Sequence, residues 1–132
     1  MDHDEFIGQV QHRARLDSRG AAEQATRATL ETLAERLAGG EPKDLAAQLP
    51  DEIGLHLRRA EAAQESFSVQ EFYQRVAQRS SPGVEPPDAA FRARAVMSVV
   101  RDAVSAGQLD DLAAQLPDDY QALFDYEGAT SP

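Results

Sequence analysis

A seven-residue segment that occurs twice constrains the fold of this chain more than any other feature. Residues 45–51 read Leu-Ala-Ala-Gln-Leu-Pro-Asp, and residues 112–118 repeat the same seven residues. Residue 112 lies 67 positions after residue 45, which is about half of the 132-residue chain. Self-similarity at a fixed offset is typical of duplicated structural units. The heptapeptide therefore predicts two copies of one unit.

Similarity at this offset extends well beyond the heptapeptide. Most of the matched positions are apolar and recur at helical spacing. The matched pairs include Arg27 and Arg94, Leu30 and Met97, Leu33 and Val100, Leu37 and Val104, Ile53 and Tyr120, and Leu57 and Phe124. We therefore expect a single domain over residues 1–132, with a first repeat at about 4–65, a second at about 67–127 and a frayed tail at 128–132.

Apolar periodicity and helix-boundary signals predict four helices in each repeat. Glycines are expected to end both long helices, Pro42 suits the first turn of the third helix, and Pro50 and Pro117 are expected to open the last helix of each repeat. The predicted helices are 4–16, 21–38, a short one after Pro42, 51–62, 68–79, 88–106, 109–115 and one opened by Pro117. No segment alternates like a strand. The predicted fold is all-α, a single compact bundle of about eight helices built from two tandem four-helix repeats with pseudo-two-fold symmetry.

The chain is acidic, with 23 Asp and Glu residues against 13 Lys and Arg and a formal charge of −10. An acidic surface without a basic stripe repels phosphate, so neither nucleic acid nor a membrane is an expected partner. No apolar run reaches the roughly 20 residues of a membrane-spanning helix. The lack of cysteine fits a reducing compartment, and the N-terminus does not resemble a signal peptide. We therefore expect a cytoplasmic protein.

Two features together resemble a known bacterial family. One is the Ala- and Leu-rich stretch 28–40, which ends in Gly-Gly, and the other is the duplicated heptapeptide with its Gln-Leu-Pro element. Over nearly the whole chain, the pattern is similar to the family known as domain of unknown function 2267. The resemblance implies a helical, cytoplasmic protein with two tandem copies of the helical repeat of that family. It implies no activity and no functional residues.

Two pairs of polar residues retained at the 67-residue offset are the candidate site residues. Gln48 and Gln115 precede the prolines of the heptapeptides, where an amide could satisfy carbonyls left unpaired at a helix end. Arg27 and Arg94 could each form an ion pair within its own repeat. The acidic partners considered are Asp44 or Asp51 for Arg27, and Asp111 or Asp118 for Arg94. Alternatively, all four residues could line a groove between the repeats.

The sequence indicates no catalytic, cofactor-binding or metal-binding residues. The segment Asp2-His3-Asp4-Glu5 contains metal-ligand residue types, but acids at a helix start complement the helix dipole, and a fraying terminus holds ligands poorly. His12 and His56 are expected on polar helix faces, without a partner pattern for acid–base catalysis. The sequence leaves enzymatic activity open but favours a protein without it.

The leading functional prediction is a non-catalytic interaction or assembly module that binds a protein partner or forms a homodimer. The alternative is a small-molecule or anion-binding protein that uses the groove between the repeats. A third hypothesis, helix-turn-helix DNA binding, would need a basic recognition helix. Arg92, Arg94 and Arg101 make the long second-repeat helix the best candidate, but its apolar content indicates a core helix instead.

Overall fold

The structure, a computed structural model, describes residues 1–59 and 65–126, and these residues form eight helices and no strand. The helices are α1 (His3–Arg13), α2 (Arg19–Arg36), α3 (Glu41–Ala47), α4 (Asp51–Arg59), α5 (Val69–Gln78), α6 (Pro86–Ala103), α7 (Ala106–Ala114) and a final 3-10 helix (Asp118–Phe124). The all-α prediction is confirmed. The predicted end of the fourth helix and the predicted frayed tail lie outside the described residues.

Side-chain caps fix where four of the helices begin. Asp2, Ser18, Ser68 and Ser105 each accept a hydrogen bond from the backbone N–H three residues later, at 2.8–3.2 Å. Such a cap satisfies one of the N–H groups that the first turn leaves unpaired. Because Ser18 caps α2, this helix begins two residues before the predicted start at residue 21.

Helix α6 also begins earlier than predicted, at Pro86 instead of residue 88. Both prolines of the Pro86-Pro87 pair lie in the first turn, where a missing N–H costs no helical hydrogen bond. The carboxylate of Asp88 accepts a hydrogen bond from the N–H of Glu85 at 3.2 Å and closes the turn. The two prolines therefore start the helix, whereas the sequence analysis placed them in the preceding loop.

The core is built around α2 and α6, two helices of 18 residues each. Helix α2 packs against α1, α4, α5 and α6, and α6 also packs against α5 and the 3-10 helix. The predicted apolar stripe of α2 is fully buried: Ala22, Thr26, Thr29, Leu30, Leu33 and Leu37. These long helices thus provide the frame on which the shorter helices are placed.

The last helix of each half is held differently. Helix α4 packs on α3, and a Cβ added at Gly54 would lie only 2.8 Å from the carbonyl oxygen of Ala46. The residue 67 positions later is Gln121, whose side chain could not enter so close a contact. The final helix packs on α5 and α6, as α4 does on α1 and α2, but the carboxylate of its Asp119 also accepts a hydrogen bond from the N–H of Val69 at 2.8 Å. It adopts 3-10 geometry.

Ion pairs join the early helices to the later ones. The Arg13 guanidinium on α1 lies 2.6 Å from the Asp102 carboxylate on α6. The Glu35 carboxylate on α2 lies 2.8 Å from the guanidinium of Arg79, which directly follows α5, and 3.4 Å from that of Arg75 on α5. The hydrogen bond from Arg79 holds the pKa of Glu35 below its usual value. None of the described helices is long and apolar enough to cross a membrane.

Candidate functional site

The two heptapeptide glutamines lie where α3 meets α7, and each bonds the other half of the chain. The Gln48 Oε1 atom accepts a hydrogen bond from the Ser105 N–H at 2.8 Å, and the Gln115 Oε1 atom accepts one from the Ala38 N–H at 3.0 Å. Residues 38 and 105 are 67 positions apart, as are 48 and 115. Each glutamine therefore pairs with the chain just beyond the long helix of the opposite half. The prediction that each would satisfy carbonyls at its own helix end is wrong.

A buried carboxylate and amide face each other between these two bonds. The Gln108 Nε2 atom donates to Glu41 Oε1 at 2.6 Å, and the Gln48 Nε2 atom donates to Gln108 Oε1 at 3.3 Å. Burial raises the pKa of Glu41, and the charges of Asp111 and Asp44 raise it further. We call this junction the α3–α7 seam, formed by Ala38, Glu41, Gln48, Ser105, Gln108 and Gln115.

Arg27 lies in a polar cavity enclosed by the first, second and fourth helices. Its volume is about 370 Å³. We call it the α1–α2–α4 cleft, and its charged and polar lining consists of His3, Glu23, Gln24, Arg27, Glu52 and His56. Arg27 is exposed and forms no ion pair with any residue that the structure describes. The predicted pairing of Arg27 with Asp44 or Asp51 is therefore wrong.

In the part of the chain that the structure describes, Arg27 lacks an ion-pair partner because its two acidic helical neighbours are engaged elsewhere. Glu23 and Glu31 lie one turn before and one turn after it on α2, the spacing at which helix ion pairs form. The Glu23 carboxylate lies 3.4 Å from the His3 ring and 3.8 Å from the Arg19 guanidinium. The Glu31 carboxylate lies 3.8 Å from the guanidinium of Arg79, which directly follows α5. Arg27 itself lines the cleft.

His56 forms the inner part of the same cleft. Its Nδ1 atom is buried and has no hydrogen-bond partner among the described residues. Burial lowers the pKa of His56, and this effect outweighs the opposite influence of the nearby Glu31 carboxylate. At neutral pH the ring is therefore uncharged, with one nitrogen that donates and one that accepts.

His3 connects the three helices at the mouth of the cleft. Its Nε2 atom lies 3.4 Å from the Glu23 carboxylate, and its Nδ1 atom lies 3.9 Å from the Glu52 carboxylate and 3.7 Å from that of Asp4. The Arg19 guanidinium lies 2.5 Å from Asp4 and fastens α1 to α2. No group of three or more His, Asp or Glu side chains within residues 1–59 and 65–126 is placed to hold a metal ion.

Arg94 lies in a second, smaller cavity of about 290 Å³, lined also by Phe91, Ala122, Asp125 and Tyr126. Its Nε atom donates to the carbonyl oxygen of Ala122 at 3.1 Å. Its guanidinium lies 5.4 Å from the centre of the Tyr73 ring, within the range of a cation–π contact. The predicted pairing of Arg94 with Asp111 or Asp118 is wrong.

The four candidate site residues do not share one surface. Arg27 and Arg94 line separate cavities, whereas Gln48 and Gln115 lie at the seam. The sequence analysis did not single out Glu23, Glu52, Glu41 and Gln108. Residues 41 and 108 are 67 positions apart, so the offset could have identified that pair. No sequence pattern brings His3 of α1 to α2 and α4. His12 is exposed, as predicted.

The all-helical fold and the duplicated Gln-Leu-Pro element lead to a family assignment. The family model described as "Uncharacterized conserved protein (DUF2267)" matches residues 3–123. The chain belongs to this family. The resemblance drawn from the heptapeptides and the Ala- and Leu-rich helix is thereby confirmed. No curated protein matches the chain. Membership of the DUF2267 family assigns no reaction, so the cleft and the seam must be interpreted from their own chemistry.

Proposed function

We propose that this DUF2267 protein is a non-catalytic interaction module that holds a polar group of a partner in the α1–α2–α4 cleft. The observation that supports this proposal is that Arg27, exposed and without an ion pair to any described residue, lines a concave surface. An arginine fork matches a carboxylate with two parallel hydrogen bonds. The partner would therefore place a carboxylate against Arg27.

Four other arginines are engaged within the bundle, in contrast to Arg27. Arg13, Arg75 and Arg79 contact carboxylates on other helices, and Arg94 bonds a backbone carbonyl. These side chains hold the bundle together. Arg27 contributes no ion pair within the described part of the chain, so binding to a partner would break no internal bond that the structure describes.

A quantitative affinity capture tests this proposal. The purified chain, its Arg27→Met variant and its Arg101→Met variant serve as baits under identical conditions. Arg27→Met keeps the apolar stem but removes the charge, and Arg101 is an exposed arginine on α6 that serves as the matched control. We expect a specific partner to be retained by the wild type and by Arg101→Met, and to be depleted at least fivefold with Arg27→Met. Equal retention by all three baits would rule out the cleft as the binding surface.

A second copy of the chain is the simplest partner to test. Light scattering over a range of concentrations should show a dimer that Arg27→Met weakens if the assembly is a homodimer. A wild-type chain that stays monomeric up to millimolar concentration would eliminate homo-assembly. The capture experiment would then decide between a protein partner of another kind and no protein partner.

The second candidate function is small-molecule binding in the same cleft, and the volume of the cavity favours it. About 370 Å³ falls at the lower end of the 300–1,000 Å³ that is common for small-molecule sites. In this candidate function Arg27 still binds an anionic group, but not in the groove between the repeats that the sequence analysis considered. The site is then within the first half of the chain, not between the halves.

We also infer that the chain consists of two tandem copies of one helical unit, related by an approximate two-fold axis through the seam. The paired bonds of Gln48 with Ser105 and of Gln115 with Ala38 support this inference, because both obey the same 67-residue offset. Two-fold contacts are reciprocal in this way. A cytoplasmic location remains part of the proposal and is supported by the cysteine-free sequence.

A further inference from the structure

We propose that the α1–α2–α4 cleft binds a small zwitterion of the amino-acid class, with its carboxylate on Arg27 and its ammonium group on Glu52. This inference rests on the small-molecule form of the proposed function and names the chemistry of its ligand. The charges that line the cleft, and the partners that already engage them, determine where each group of the ligand would bind.

The carboxylate position follows from the engagement of the α2 side chains. Glu23 is drawn to His3 and Arg19, and Glu31 is drawn to Arg79, so both carboxylates at helical ion-pair spacing from Arg27 face other cations. Arg27 lines a concave space instead and has no ion pair with any described residue. A carboxylate supplied from outside is the group that a planar guanidinium binds best.

The ammonium position follows from the contrast between the two glutamates of the cleft. Glu23 has two basic groups within 4 Å, with His3 at 3.4 Å and Arg19 at 3.8 Å. Among the described residues Glu52 has only His3, at the longer distance of 3.9 Å, and its side chain is 66 % exposed. Glu52 therefore has most of its acceptor capacity available. An ammonium group is a compact donor that suits such a carboxylate.

The overall charge of the protein disfavours a simple anion as the ligand. The chain carries a formal charge of −10, and the cleft itself contains two carboxylates. An anion at Arg27 would lie close to both. A zwitterion adds no net charge and offers a positive group to Glu52, the less well paired of the two carboxylates. His56 adds no positive charge at neutral pH, because burial keeps its ring uncharged, and it can hydrogen-bond the same ligand.

The experiment is an NMR titration of the isotopically labelled full chain. Glycine, β-alanine and γ-aminobutyrate serve as zwitterions in which the two charges are progressively further apart. Acetate and methylammonium supply each charge alone. We expect at least one zwitterion to shift the signals of Arg27, Glu52 and His56, and to bind at least tenfold more tightly than acetate or methylammonium.

Three variants separate the roles of the side chains. Arg27→Met should weaken binding of the zwitterion at least tenfold, and Arg101→Met should leave it unchanged. Glu52→Gln should abolish the preference for the zwitterion over acetate, because it removes only the site for the ammonium group. Backbone spectra that overlay on the wild type away from the cleft establish that each variant is folded.

Two results would overturn this inference, and neither coincides with failure of the interaction module. Acetate binding as tightly as the zwitterions would make the cleft an anion site. Absence of any shift with all five probes would remove the small-molecule site altogether. In either case, capture of a protein that depends on Arg27 would still support the interaction module. Conversely, a capture result that does not depend on Arg27 would leave a positive zwitterion titration unaffected.

Discussion

Arg27 on α2 and Arg94 on α6 lie 67 residues apart, yet the two guanidinium groups are held in different ways. Arg94 is half-buried, bonds the Ala122 carbonyl oxygen and lies over the Tyr73 ring. Arg27 is exposed and faces a polar cleft. The same residue at the same position of a long helix thus fastens one half of the bundle and leaves a charge available in the other.

The neighbours of each arginine account for the difference. Beside Arg94 stands the aromatic Phe91, and the residue 67 positions earlier, beside Arg27, is Gln24. His56 lines the first cavity, and the residue 67 positions after it is the fully buried Leu123. Apolar substitutions close the space around one arginine, whereas polar ones keep the other in contact with water. An unchanged residue can therefore change its role when its surroundings diverge.

The largest expected effect comes from placing a second carboxylate in the buried seam. Gln108→Glu would place two carboxylates against each other in a buried contact, with Asp44 and Asp111 nearby. We expect a loss of about 3 kcal/mol in the free energy of unfolding, which is typical of an uncompensated buried charge. Urea denaturation at pH 7 measures this loss.

The exchanged variant Glu41→Gln with Gln108→Glu is the matched control for the seam. It restores one carboxylate and one amide in the opposite order, so most of the lost stability should return. Equal destabilisation by the single and the exchanged variants would show that the contact does not depend on its charge asymmetry.

Alanine substitutions at the two arginines test the central comparison directly. Arg94→Ala removes the hydrogen bond to Ala122 and the contact with the Tyr73 ring, and should cost about 2 kcal/mol. Arg27→Ala removes an exposed side chain and should change stability by less than about 0.5 kcal/mol. Thermal and urea denaturation of both variants measure the difference. Equal costs would contradict the assignment of Arg94 as the structural arginine and Arg27 as the available one.

A smaller difference is expected between the two seam glutamines. Gln115→Ala removes one hydrogen bond, to the Ala38 N–H, and should cost about 1 kcal/mol. Gln48→Ala should cost more, because it removes the bond to the Ser105 N–H and also leaves the buried Gln108 without a donor to its Oε1 atom. Urea midpoints of the two variants test the order, and the reverse order would show that the seam is held mainly through Gln115.

The smallest effect concerns pH and His56. Burial lowers the pKa of His56 in the folded chain, so the unfolded chain takes up a proton first as the pH falls below about 6.5. His56 thus contributes a loss of stability as the pH falls through that range and no loss above it. His56→Leu introduces the residue found at position 123 and should flatten the stability curve between pH 7.5 and 5.5. An unchanged slope would show that the folded ring takes up its proton as readily as the unfolded one.

Much of the fold could be predicted because it depends on local signals. The apolar stripe of α2, the serine cap of α5 and the glycines after α2 identify helices without any knowledge of distant contacts. The starts of α2 and α6 were nevertheless misplaced at local caps, and a further difference arose where tertiary structure decides. The close contact of Gly54 with Ala46 has no equivalent at Gln121, and the last helix consequently differs from α4 in both packing and geometry.

The cleft was less predictable than the fold. Arg27 and Arg94 line two separate cavities, and the sequence could not show that separation. Within the described residues, Arg27 has no ion pair because His3 of α1 and Arg79, directly after α5, engage its helical neighbours. The spacing of charged residues along the sequence does not reveal such long-range competition between ion pairs. The seam bonds were likewise missed, because a local role for glutamine before proline looked sufficient.

The seam also determines how the molecule can come apart. Each short helix supplies the acceptor for a backbone N–H just beyond the long helix of the other half, so detaching α3 exposes an unpaired donor after α6, and detaching α7 exposes one after α2. Partial opening of either half therefore costs a hydrogen bond that involves both halves. Hydrogen exchange at Ala38 and Ser105 should consequently proceed at matched rates, as it would for a single opening unit that spans the whole chain.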